Sequence, residues 1–242
     1  MERLPRVLSS QPYAWPLEGA WHANSTALMV IDMQRDFLAT EGYFGSMGYS
    51  TEVVQVIIEP LTRVIAGLRE KGVQIIYTRE GHRPDLADLT QMKRQRSANM
   101  GAAIGSSGPL GRFLVRGQCG WDLIPEMDPQ NTDILLDKPG NGAFYGTDLD
   151  QILTARGINR LIMSGVTTDV CVHSTLREAN DRGYECLLLK DCCAAGDPEL
   201  HKAAVEMTLN EGGIFGAVAT SQDLLAALAG NTRLNIQRGN AL

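Results

Sequence analysis

The chain has 242 residues and a formal net charge of −6, with 44% apolar and 21% charged residues, 25 glycines and 10 prolines. It is too apolar for intrinsic disorder and too poor in glycine and proline for a low-complexity chain. The acidic balance leaves no electrostatic footprint for nucleic acid or anionic lipid. The most apolar stretches, such as Val53–Ile58 and Leu224–Ala229, fall far short of the roughly 18 residues of a membrane span.

The opening MERLPRVLSSQPYAW has no apolar h-region, so a cytoplasmic protein with a short N-terminal arm (1–24) is expected. Ala27–Ile31 reads as a buried strand, followed by Asp32 in VIDMQRDF. Thr51–Arg69 reads as an amphipathic helix, with Val53, Val56, Ile57, Leu61, Val64, Ile65 and Leu68 on one face and Pro60 as a kink. Val73–Tyr77 is the second strand. The stretch from Gly81 to Trp121 then breaks the pattern, being polar and glycine-rich with Lys93, Arg94 and Arg96 close together. A connection of that length is a functional segment, a contact surface or a solvated loop.

Ile134–Leu136 is the third strand and leads to Lys138 in LLDKPGNGAF. Thr147 caps a helix running to Arg156, with Gly157 just beyond its end. Leu161–Met163 is the fourth strand; the turn Gly165-Val166-Thr167-Thr168 follows, and DVCVHSTLREANDRG opens a helix. Cys186–Leu189 and Phe215–Ala219 are the last strands, separated by a helix from Asp197-Pro198 to about Gly212-Gly213, with a C-terminal tail at 229–242. This alternation predicts an α/β fold of three layers, helices on both faces of a mostly parallel sheet of about six strands, Rossmann-like, as one domain over 1–242.

Ligands of open α/β sheets bind at the carboxyl ends of the strands. Asp32, Lys138 and Cys171 follow three of the predicted strands, so a carboxylate, an ammonium and a thiol gather at one sheet edge. Cys171 falls in the first turn of a helix, where the dipole and a nearby ammonium favour a thiolate. His173 lies two residues beyond it and would face away, which leaves His82 as the one imidazole able to reach. Five cysteines, none paired as C-x-x-C, and no histidines at ligand spacing argue against a disulfide framework or a metal site. Cys186, Cys192 and Cys193 read as small core hydrophobes, with a redox role for the adjacent Cys192-Cys193 pair as the alternative.

VIDMQRDF, LLDKPGNGAF and SGVTTDVCVHSTLREANDRGYECLLLKDCCAAGD, in that order at strand ends, resemble the isochorismatase-like cysteine hydrolases from about Ala27 to Val218. Within that family, TREGHRPDLADL and REANDRGYECLLL resemble biuret and triuret hydrolases, with N-carbamoylsarcosine amidases and ureidoacrylate amidohydrolases as more distant cousins. The resemblance implies a triad of Asp32, Lys138 and Cys171, no cofactor and no metal. It also implies a cis peptide between Val166 and Thr167 that aims the backbone N–H groups of Thr167 and Cys171 at one oxyanion. Phe37, Asn141, Tyr145, Thr168 and Glu211 are the expected substrate contacts. Asn141 and Glu211 stand where biuret hydrolases carry a lysine and a glutamine, which favours triuret over biuret as substrate. The expected partners are a small urea-type molecule and other copies of the chain, a tetramer by resemblance, with no nucleic acid and no membrane. A catalytically silent subunit of the same fold is the non-enzymatic alternative.

Overall fold

The computed structural model describes residues 3–230. Its centre is a parallel six-stranded sheet: β1 (Thr26–Ile31), β2 (Gln74–Glu80), β3 (Ile134–Lys138), β4 (Arg160–Val166), β5 (Glu185–Ala194) and β6 (Ala217–Ala219). The spatial order is β6-β5-β4-β1-β2-β3, and every neighbouring pair is parallel. Each predicted strand is present. β2, β4 and β5 run several residues further than their apolar runs, because the sheet's hydrogen bonds continue past the last large hydrophobe.

Side-chain alternation along the strands feeds two cores. Leu28, Val30, Ile75, Tyr77, Ile162 and Leu187 face one layer, made by α1 (Ile58–Glu70) and a C-terminal helix, Ser221–Leu228. Ala27, Met29, Ile31, Ile76, Leu161 and Met163 face the other, made by Leu149–Ala155, His173–Asp181 and Pro198–Gly213. The three-layer expectation is met. Leu4, Val7, Trp15 and Trp21 are buried in the first core, so the described part of the expected N-terminal arm belongs to that layer. The 231–242 portion of the expected tail lies outside the described residues.

Two local readings are corrected. The stretch read as one helix from Thr51 to Arg69 is two, Glu52–Gln55 and α1, and the break falls before Ile58 rather than at Pro60. Pro60 is the third residue of α1, in the first turn, where its missing N–H has no intrahelical acceptor to lose. The break also rotates the upstream face, so Val54 is buried and Val56 is 69% exposed. Thr147 stands one residue before the N-cap position of the next helix. Asp148 occupies that position, while the Thr147 hydroxyl donates to the Ala143 carbonyl at 2.6 Å and accepts from Leu149 N–H at 3.2 Å. Gly157 stands just past the helix end with φ 66°, as expected.

Candidate active site

The strand order reverses between β1 and β4, the point at which a crevice opens at the carboxyl edge of such a sheet. Asp32 leaves β1 in a left-handed conformation, φ 52°, and accepts from the Thr78 hydroxyl at 2.6 Å. Lys138 ends β3 with its side chain fully buried and its Nζ 2.7 Å from Asp32 Oδ2. The same ammonium donates to the carbonyls of Gly140 and Asn141, each at 2.9 Å. β4 runs through a cis peptide between Val166 and Thr167 into a π-helical turn, Thr168–Val172, which holds Cys171. The Thr167 carbonyl accepts the amides of Val170 and Val172, and not that of Cys171.

A fourth group completes the cluster. Glu80 ends β2, and its Oε2 accepts from Cys171 Sγ at 3.3 Å and lies 3.3 Å from Lys138 Nζ. Its Oε1 is 2.6 Å from Lys93 Nζ, and that ammonium also donates to the Pro139 carbonyl at 2.8 Å. Lys93 is carried by a helix, Gln91–Asn99, lying inside the long segment between Gly81 and Trp121. Glu80 follows the second predicted strand as Asp32 follows the first, so the strand-end rule reaches it once β2 is read three residues longer. Lys93 had only its place in a basic run as a signal.

Burial and charge set the protonation pattern. Desolvation pushes the Asp32 carboxyl up, against the pull of Lys138. Glu80 feels the same desolvation, but Lys138 and Lys93 outweigh it and hold its carboxyl down at about 2. Lys138 stays charged despite burial, because Asp32, Cys171 and Glu80 surround it. The Cys171 thiol is pushed well above its ordinary value, chiefly by burial and then by the two carboxylates, over the opposing pull of Lys138. Burial and the two carboxylates thus oppose the thiolate that the helix position and the ammonium favour. Two carboxylates and two ammoniums already balance, so ionising the thiol adds an uncompensated buried charge. The resting group is an S–H donating to Glu80.

Ligand atoms of Asp32, Glu80 and Cys171 lie within 4.8 Å of one another, a spacing a metal ion could use. The Lys138 ammonium, within 2.7 and 3.3 Å of the two carboxylates, supplies a cation at that position.

The thiol opens into a cavity of about 360 Å³, a size that suits a small molecule. Phe37, Tyr43, Phe44 and Met47 form an apolar wall, and Glu80, Lys93, Arg96, Asn141 and Asp169 are polar lining groups. Of the five expected substrate contacts, Phe37 and Asn141 line this cavity. Three predicted contacts do not. Thr168 is fully buried, with its hydroxyl 2.8 Å from His201 Nδ1 behind the turn. Tyr145 is 65% exposed, and its ring covers the Cα of Gly140 rather than lining the cavity. Glu211 is exposed at φ 49°, where the helix begun at Pro198 breaks, and does not line the cavity either. His82 is buried against Asp88 at 3.2 Å and His173 accepts from Arg177 Nε at 2.9 Å, so neither is placed to serve the thiol. Cys192 and Cys193, adjacent on β5, point into opposite cores and cannot pair.

A thiol, two carboxylates and an ammonium meet at the switch point of a Rossmann-type sheet, the place where such a fold keeps its active site. The isochorismatase domain model matches residues 26–223, and the chain belongs to the isochorismatase family. Ureidoacrylate amidohydrolase RutB of Variovorax paradoxus (strain S110) is 32% identical over 237 residues, covering 93% of this chain and 88% of the relative. The solved cysteine hydrolase from Pseudomonas syringae pv. phaseolicola 1448A has a TM-score of 0.75 at 25% identity, over 96% of this chain and 99% of that one. N-carbamoylsarcosine amidase from Thermoplasma acidophilum has a TM-score of 0.62 at 27% identity, over 81% and 96%. Such relatives are not specifically the biuret or triuret hydrolases that the sequence motifs suggested.

Proposed function

We propose that the chain is a metal-independent cysteine amidohydrolase that cleaves a carbamoyl C–N bond of a small ureido acid. It is a hydrolase acting on carbon–nitrogen bonds of linear amides, in keeping with its amidohydrolase relatives. The observation that carries the reading is the buried Asp32–Lys138–Cys171 set opening into a cavity with a cation, Arg96, on its lining. Among the described residues, the Arg96 side chain has no hydrogen-bond or ion-pair partner, which suits it to a substrate carboxylate. The ureidoacrylate amidohydrolases that the chain resembles support the same substrate class.

In this mechanism Asp32, the more basic carboxylate, takes the S–H proton as the thiol attacks the carbamoyl carbon. The C–S bond forms, and the oxyanion sits on the N–H groups of Thr167 and Cys171, where one such donor is typically worth about 10²–10³ in rate. The C–N bond breaks as Asp32 returns the proton to the departing nitrogen. Water, deprotonated by Asp32, then cleaves the C–S bond and restores the thiol. Lys138 keeps Asp32 oriented throughout.

Triuret, cleaved to carboxybiuret with release of ammonia, is the second reading, with biuret behind it. Asn141 on the lining favours it, as does Asp169, whose buried Oδ1 lacks a hydrogen-bond partner among the described residues and can accept a substrate N–H. Its former support from Glu211 falls away with that residue's position. Ammonia release from ureidoacrylate, N-carbamoylsarcosine, biuret, triuret and nicotinamide, with EDTA present and Cys171→Ser as blank, tests the proposal. Turnover of a ureido acid is expected, with Arg96→Met raising its KM about tenfold and leaving neutral ureides unchanged. Silence on every ureide, or wild-type turnover by Cys171→Ser, would overturn it.

A further inference from the structure

Glu80 is more firmly built into the site than a bystander needs to be. Its backbone N–H donates to Gln34 Oε1 at 2.7 Å, and its carbonyl accepts from Gln34 Nε2 at 3.0 Å. Gln34 is itself tied down by a bond from Nε2 to the Trp121 carbonyl at 2.7 Å. Lys93 grips one carboxylate oxygen, so only Oε2 faces the thiol. The side chain is 5% exposed, yet it borders the cavity.

That oxygen has one hydrogen-bond donor in the resting enzyme besides Lys138, the S–H of Cys171. When the thiol gives up its proton to Asp32, Glu80 Oε2 faces a sulfur that can no longer donate. A buried, ionised carboxylate left short of a donor is costly. The nearest new donor is whatever the substrate carries beside the attacked carbon. A carbamoyl nitrogen with hydrogen fits; an ester oxygen does not.

We propose that Glu80, clamped by Gln34 and Lys93, accepts an N–H of the substrate's carbamoyl group once Cys171 has lost its proton, and so selects substrates with N–H at the reacting centre over esters. The proposal rests on the ureido reading above and deepens it. Asp32 remains the base, because Glu80, facing two ammoniums, is too weak a base to hold the proton.

The test is Glu80→Gln, assayed on the best ureide and on p-nitrophenyl acetate, which has no N–H at its carbonyl. A Gln side chain presents no anion to the N–H, so kcat/KM for the ureide relative to that for the ester, both measured at the same pH, should fall about 10–100-fold. Alkylation of Cys171 by iodoacetamide is followed in parallel across pH. Removing the adjacent anion should move its profile to lower pH, a shift that loss of folded protein does not produce. Lys93→Met, which frees the carboxylate without removing it, should show a smaller loss of the same selectivity. Equal losses on ureide and ester, or an unchanged ureide rate, would overturn the proposal while the functional reading stands. A wild-type enzyme that cleaves the ester but no ureide would overturn both.

Discussion

Asp32 and Glu80 are both buried carboxylates on Lys138, yet they are suited to opposite tasks. Glu80 faces two ammoniums and stays ionised, whereas Asp32 shares one ammonium and is pushed up by burial. A group that must accept a proton and later return it works best when its pKa is near the working pH, which favours Asp32. The sign of the pH dependence follows. The proposed mechanism needs Asp32 as carboxylate, and its raised value means that this form is lost earlier on acidification than for an ordinary aspartate. The acid limb of kcat/KM should therefore lie above the ordinary 3.8, and because Asp32 and Cys171 exchange one proton it belongs to the pair. Glu80, held at about 2, adds no limb in the usable range. Asp32→Asn should cost about 10²–10⁴ in kcat/KM, as read from initial rates between pH 4 and 9. An acid limb that persists in that variant would assign the base elsewhere. Asp32 was legible as a strand-end carboxylate in the sequence; its division of labour with Glu80 was not, since that depends on which ammonium each one touches.

The way β4 meets β1 is decided at Gly165. Its φ is 108°, and a Cβ there would fall on the backbone of Ile31, one residue before Asp32. The two strands can approach this closely only without a side chain, and the approach brings the Cys171 turn beside the carboxylate. Gly165→Ala should destabilise the protein by about 3 kcal/mol or more, lowering Tm by roughly 6–12 °C for a chain of this size, with loss of activity. Thermal unfolding followed by circular dichroism measures it; a Tm within about 2 °C of wild type would show that the strands can part cheaply. The adjacent cysteines of β5 illustrate the same dependence on pairing. They read as core hydrophobes with a redox pair as the alternative; a strand turns consecutive side chains to opposite faces, and Cys192 and Cys193 are buried in different cores.

Across the whole molecule, two cores flank a sheet whose edge holds the chemistry; Cys171 belongs to one and Phe37, Tyr43 and Phe44 to the other, while the part of the first core under α1 lines no part of the cavity. Leu61 of α1 is fully buried in the first core, on the opposite face of the sheet from Cys171, which packs with the second. Leu61→Ala should cost about 2–5 kcal/mol, seen as a lower denaturation midpoint, while kcat of the folded fraction stays within about twofold of wild type. A large fall in kcat would mean that the first core transmits strain to the site. Among the described residues no helix is long and apolar enough to cross a membrane.

The sequence by itself determined the alternation of strands and helices, the parallel three-layer class, and Asp32, Lys138 and Cys171 as residues that end or follow strands. These properties are written in apolar periodicity and in residue types at fixed places relative to it, so they are readable locally. The tertiary structure alone decided that Glu80 and Lys93 lie beside Asp32, Lys138 and Cys171, that Thr168, Tyr145 and Glu211 do not line the cavity, and that burial pushes the Cys171 thiol up. Those depend on distances between groups far apart in the chain, and on the desolvation that burial imposes, neither of which any local pattern records.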